Sequence, residues 1–258
     1  MVFEPWLTTL VIALLMGLVA LLYASVGHAG ASGYLAVMAL IGVAPMVMKP
    51  TALVLNIIVS LIAVVQYYRA GAFSWRIFLP LALTSIPCAY LGGYLSLPAH
   101  WYKPIVGMVL IYAVFYSFRR SYQTIAHELK PVAPLTLGIV GAVLGLLSGL
   151  TGVGGGIFLS PLLLRMNWAP VRVISGVAAM FILVNSVSGL LGVLSHQPTL
   201  SPSLTYWVFA VVVGGFVGAH LGSKRLNTVL IQRVLAVVLL VQRQHLALWK
   251  ADYLGKWF

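Results

Sequence analysis

The sequence predicts an all-α polytopic membrane protein made of two inverted repeats, each with five helical segments and with helices broken or re-entrant at Gly-rich corners. Three observations lead there. Apolar residues fill 62% of the 258 positions and charged residues only 7%, where a soluble domain carries roughly half and a quarter. Nearly uncharged runs about as long as a membrane span recur at 7–26, 51–68, 77–97 and 206–221. The only acids, Glu4, Glu128 and Asp252, all lie outside those runs.

The net charge of +12 would suggest nucleic acid in a soluble protein. Here the cations sit in short loops and at segment ends, with no basic stripe interleaved with aromatics, so they read as a membrane-orientation signal and no nucleic-acid partner is expected. Cys88 is the single cysteine and lies in an apolar run, which makes it a packing residue and leaves no intrachain disulfide. Glu4 stands where a signal peptide would be basic, and further spans follow, so the first run is read as a retained span.

Laid on itself at an offset of 125, the chain pairs Leu21 with Leu146, Leu22 with Leu147, Gly27 with Gly152, Gly30 with Gly155, Ala44 with Ala169 and Pro45 with Pro170. One inserted residue later, Gly92 pairs with Gly218, Leu95 with Leu221 and Ile105 with Ile231. One supersecondary unit is written twice. The segments are 7–26, 33–44, 51–68, 75–97 and 101–118, then 135–150, 156–166, 171–194, 206–222 and 229–242. The division is a first transmembrane repeat at 1–120, a basic cytoplasmic linker at 121–134 and a second repeat at 135–258.

Residues 7–44 as one helix would be about 57 Å long at ~1.5 Å per residue, against a hydrocarbon core of ~30 Å. Counting them as two segments puts Arg69, Arg76, Arg119, Arg120, Lys130, Arg165, Arg172, Lys224, Arg225 and Arg233 on one side. Lys49, Lys103, Arg243, Lys250 and Lys256 fall on the other. Merging the two segments erases that bias, so the positive-inside rule favours five segments per half with both termini outside. An odd number of crossings inverts the second half relative to the first, as in many secondary transporters.

The chemistry concentrates at the corners between the first two segments of each half. In the second half, Ser148-Gly-Leu-Thr-Gly-Val-Gly-Gly-Gly156 carries too many glycines for a helix interior, where each costs about 1 kcal/mol relative to Ala. Bare backbone at membrane depth is tolerated only inside protein or around a wet cavity. The following short helix offers unpaired amides and the positive end of its dipole, an anion site that glycine leaves open to close approach. The first-half corner is Gly27-His28-Ala29-Gly30-Ala31-Ser32-Gly33. The candidate substrate-binding residues are Gly27, His28, Gly30, Ser32, Gly33, Asn56, Thr151, Gly152, Gly154, Gly155, Gly156 and Asn185.

Ser60, Ser186 and Ser188 are further polar residues within spans, more commonly interhelical partners than ligands. Thr51 and Ser175 read as helix N-caps. His28 is the ionisable side chain at a corner and can supply charge or carry a proton. Trp6, Trp75, Trp101, Trp168 and Trp207 fall near segment ends, as interfacial anchors do.

Gly145-Leu-Leu-Ser-Gly-Leu-Thr-Gly-Val-Gly-Gly-Gly-Ile-Phe-Leu-Ser-Pro161, with Ala169-Pro170 soon after and a degenerate first copy, resembles the TauE/SafE family of sulfite exporters. The likeness runs from about Thr9 to Val241. It implies export or import of sulfite, thiosulfate or an organosulfonate, and carries the family's glycine motif onto Gly152, Gly154, Gly155 and Gly156. In the first copy Ala29, Gly30 and Ala31 stand where the triple glycine is usual, with His28 beside them. The cationic tail at 242–258 also departs from the pattern.

The expected function is therefore small-anion export by alternating access around a midplane site between the two corners, in the inner cell membrane, with the bilayer as partner and a homo-oligomer left open. No cofactor, metal or catalytic residue is expected. A passive anion channel is the alternative, since dipole-lined sites serve channels too. An intramembrane serine protease is a remoter one, using Ser32 in Gly30-Ala31-Ser32-Gly33 and His220 in Ala219-His220-Leu221-Gly222.

Overall fold

A chain this apolar must pair its own amides, and helices let each segment do so alone. The computed structural model describes residues 5–95, 130–195 and 200–225, and among them all regular structure is helical. The helices are α1 (Pro5–Ala24), α2 (Ala31–Leu40), α3 (Pro45–Arg69), α4 (Trp75–Tyr94), α5 (Pro134–Thr151), α6 (Gly156–Met166), α7 (Val171–Leu194) and α8 (Leu204–His220). A π-helical turn at Leu221–Arg225 extends α8. The segments expected at 101–118 and 229–242, the linker before residue 130 and the basic tail lie outside the described residues.

Five of these helices, α3, α4, α5, α7 and α8, are long and apolar enough to cross a bilayer, while α1 from Thr9 to Ala24, α2 and α6 are shorter apolar helices. Their outward faces repeat at helical spacing: Leu10, Leu14 and Leu18 on α1; Leu135, Ile139 and Val143 on α5; Phe209, Val213 and Phe216 on α8 are all exposed. A water-soluble protein would have to bury such stripes; lipid solvates them. The protein is a multi-pass membrane protein.

Helix starts follow proline chemistry. Pro45 and Pro134 open α3 and α5, where a missing N–H costs nothing. The expectation that the third segment begins at Thr51, after Lys49-Pro50, is corrected: α3 runs from Pro45 straight through Pro50. Thr51 is therefore no cap; its Oγ1 accepts the Ser201 amide at 3.2 Å, tying α3 to the turn before α8. Ser175 likewise lies inside α7 and returns its hydroxyl to the Val171 carbonyl at 3.2 Å. Trp75 is about half exposed, but Trp207 is buried at 2% and is no interfacial anchor.

Close packing fixes the arrangement. Helix α4 lies along α5, and α1 along α8; α3 crosses α7 and also meets α8, while α7 also meets α4. At the α4–α5, α1–α8 and α4–α7 contacts a glycine lets backbones touch. A side chain on Gly92 of α4 would strike the Leu146 carbonyl of α5, and one on Gly218 of α8 would strike the Leu21 carbonyl of α1. The buried interior between these pairs is where α2 and α6 end against α3 and α7.

Candidate functional site

The second-half corner begins where α5 stops. Thr151 Oγ1 donates back to the Leu147 carbonyl at 2.7 Å and accepts the Val153 amide at 3.3 Å, closing the last turn. Gly152, Gly154 and Gly155 then take φ of 76°, 80° and 74°, the left-handed region that a side chain makes costly by about 1–2 kcal/mol per residue. Helix α6 restarts at Gly156, and the amides of Phe158 and Leu159 both turn to the Gly155 carbonyl, at 3.1 and 3.2 Å. The amides of Gly156 and Ile157 precede any carbonyl that their own helix could offer, at the positive end of its dipole. Residues 151–160 are all buried.

Two polar side chains converge on this corner from neighbouring helices. A Cβ built on Gly154 would lie 2.9 Å from Asn56 Nδ2 of α3 and 3.2 Å from Ser186 Oγ of α7. Both residues are fully buried. Neither Asn56 amide atom nor the Ser186 hydroxyl has a hydrogen-bond partner, and the same holds for Ser148 Oγ, whose Cβ is 3.2 Å from the corresponding point on Gly155. Native proteins seldom leave such groups unpaired, because each costs about 1–3 kcal/mol when buried without a partner. The corner therefore gathers main-chain N–H groups, a carboxamide and hydroxyls around the backbone of Gly154 and Gly155, all neutral and able to donate.

The first-half corner is built differently. Gly27 and Gly30 have φ of 78° and 107°, and Gly27 is pressed against the Ser175 backbone of α7. The Tyr34 ring lies under Gly30, 2.9 Å from where a Cβ would stand, and its hydroxyl donates to the Ala29 carbonyl at 2.6 Å. Ser32, expected to add a hydroxyl for a ligand, pairs its Oγ with Tyr23 Oη at 3.0 Å. Gly33 packs on Val19. His28 is the group that leaves this corner: its Nε2 lies 3.1 Å from the Gly156 carbonyl and its Nδ1 3.2 Å from the Val26 carbonyl. The two corners meet through that imidazole.

Of the remaining candidates, Asn185 spends its Nδ2 on the Phe181 carbonyl at 2.8 Å, leaving Oδ1 unpaired. Ser60 donates to the Asn56 carbonyl, and Ser188 bridges to the Ile86 carbonyl of α4. His220 stacks on Phe216 at the end of α8. Sequence reasoning left out Ser148, although it stands one turn before Gly152, and placed Lys49 among loop cations. Lys49 instead lies in α3, its Cγ 3.0 Å from the point where Gly152 would carry a Cβ. Its ammonium reaches the Gly92 and Gly93 carbonyls, at 3.3 and 3.4 Å, in the last turn of α4. Carbonyls there lack intrahelical partners and carry the negative end of the dipole, which a lysine satisfies.

A lipid-facing bundle of helices with polar groups gathered in its interior has the form of a membrane transporter. The family comparison gives the same class: the chain belongs to the sulfite exporter TauE/SafE family, whose model matches residues 11–242. It is 39% identical over 234 residues to "Probable membrane transporter protein y4hK" of Sinorhizobium fredii, covering 89% of this chain and 94% of that one. It is 26% identical over 149 residues to "Probable membrane transporter protein MJ0441" of Methanocaldococcus jannaschii, covering 56% of this chain and 55% of that protein. No solved structure matches significantly.

Proposed function

We propose that the protein exports a small oxyanion, of the class of sulfite, thiosulfate or an organosulfonate, by alternating access around a site centred on the Gly154–Gly156 corner. The observation that carries it is the convergence of Asn56 and Ser186, buried and without partners, on the bare backbone of Gly154. A ligand that accepts hydrogen bonds in several directions satisfies all of those donors at once, and a negative one also meets the positive end of α6. No acid occurs at any described position, which removes the repulsion that would oppose an anion and the carboxylates that would favour a metal cation. The family's description names sulfite, in keeping with that chemistry.

Alternating access between two inverted halves draws support from reciprocity in the packing. Leu21 and Leu146 are repeat partners, as are Gly92 and Gly218, and each glycine meets the other half's leucine carbonyl. The pair α4 with α5 answers α1 with α8, and α4 with α7 answers α8 with α3. A twofold relation of that kind lets the halves exchange conformations around a fixed site.

The test is a panel of sulfite, thiosulfate, sulfate, taurine, sulfoacetate and acetate, measured for binding in detergent and for uptake into proteoliposomes. Saturable uptake of sulfur oxyanions, with counterflow when the lumen is preloaded, is expected. A response confined to zwitterions or cations defeats the anion assignment, and unsaturable flux without counterflow would assign a channel.

A further inference from the structure

We infer that His28 is the proton-coupling residue of this transporter, taking up one proton together with the anion; the inference rests on the anion site proposed above. The imidazole faces two carbonyl oxygens, Val26 O from its own half and Gly156 O from the other, at 3.2 and 3.1 Å. A neutral imidazole has one donor and one acceptor, so against two acceptors it satisfies only one and sets a lone pair against the second oxygen. Imidazolium donates to both.

Charge decides when that form is held. His28 is 3% exposed, and a buried cation without a counter-charge is expensive. Among the described residues its surroundings supply none. Tyr23 of α1 takes the His28 amide on its carbonyl at 2.9 Å and engages Ser32 with its hydroxyl. Tyr34 of α2 donates to Ala29, and Tyr67 of α3 to the Ser25 carbonyl at 2.7 Å, with Arg172 of α7 near it. Lys49 of α3 is turned to the end of α4, and the first turns of α6 bring only apolar side chains and Ser160. The missing negative charge is the substrate. An anion on the Gly154–Gly156 corner, two residues or fewer from the carbonyl that His28 touches, offsets the imidazolium. The imidazolium in turn adds a cation to a site otherwise built of neutral donors.

Proton and anion then favour each other by the same factor, as linkage requires. The proton comes from the water on the side where the anion enters and leaves with it on the other. Losing the proton leaves the imidazole one donor for its two carbonyl partners, Val26 and Gly156, which weakens the contacts it makes between the two corners as the site empties.

The test uses the full-length protein in detergent with thiosulfate, an anion that does not itself titrate near neutrality. Calorimetry in buffers of different ionisation enthalpy counts the protons taken up on binding. About one per thiosulfate is expected near neutral pH, with affinity falling about tenfold per pH unit on the alkaline side. Histidine-selective ¹⁵N labelling reads the site directly: the signals missing from the H28Q spectrum should pass from the neutral to the imidazolium pattern when thiosulfate is added. Thiosulfate binding with no proton uptake, or with those signals unmoved at saturation, overturns the inference and leaves the anion site standing. If neither thiosulfate nor any other anion of the panel binds, the site itself is refuted and this inference with it.

Discussion

The two corners start from the same repeated motif and end in different chemistry. At the second, three left-handed glycines hold the backbone bare, and the side chains that approach, Asn56 and Ser186, arrive with their hydrogen-bonding groups unspent. At the first, Tyr34 packs under Gly30 and caps Ala29, Tyr23 occupies Ser32, and only His28 reaches outward. An aromatic residue and two hydroxyl pairings make the first copy of the turn a packed joint. The duplicated motif repeats the left-handed backbone at Gly27 and Gly30 opposite Gly152 and Gly155, but not at Ala29 opposite Gly154, and the neighbours decide which polar groups stay unpaired.

The sharpest way to break that contrast is to add one methyl group to each corner. G154A places a Cβ at a left-handed φ and 2.9 Å from Asn56 Nδ2, so anion affinity should fall at least about tenfold, the equivalent of ~1.4 kcal/mol. G30A meets the Tyr34 ring instead and should lower the melting temperature while leaving affinity within about twofold. Equal losses of affinity in both variants would erase the distinction between the corners.

Next in size is N56L. Hydrogen bonds to a charged partner contribute about 1.5–3 kcal/mol, so binding should weaken roughly 10- to 100-fold. Because neither carboxamide atom of Asn56 has a hydrogen-bond partner, thermal stability should hold or rise. A large drop in stability would mean that Asn56 has a structural partner and is not waiting for a ligand. S186A should act in the same direction at about tenfold, measured by titration with the anion that the panel selects. The smallest effect belongs to S32A. It removes the Tyr23 pairing and should cost about 1 kcal/mol of stability with affinity nearly unchanged; a tenfold loss of affinity would return Ser32 to the binding site.

Much of this protein follows from its sequence. Composition, the absence of acids from the apolar runs and the length of those runs dictate a helical membrane protein, since a helix pairs its own backbone without water and a barrel strand would need only about ten residues to cross. The density of glycine at 152–156 dictates a break there, because no helix interior tolerates it, and the end of α5 at Thr151 with the start of α6 at Gly156 lies where glycine requires. Residue type also singled out Asn56 and His28. Tertiary structure decided which polar groups are spent and which are free. Lys49 reads as a loop cation until α3 extends back to Pro45 and carries it to the carbonyl end of α4. Ser32 reads as an unpaired hydroxyl until Tyr23, nine residues earlier, folds onto it. Asn56 and Ser186, 130 positions apart in the chain, come together beside Gly154 only where α3 packs on α7. A hydrogen bond is a relation between two groups, and for distant residues only the packing of helices against one another sets which pairs exist.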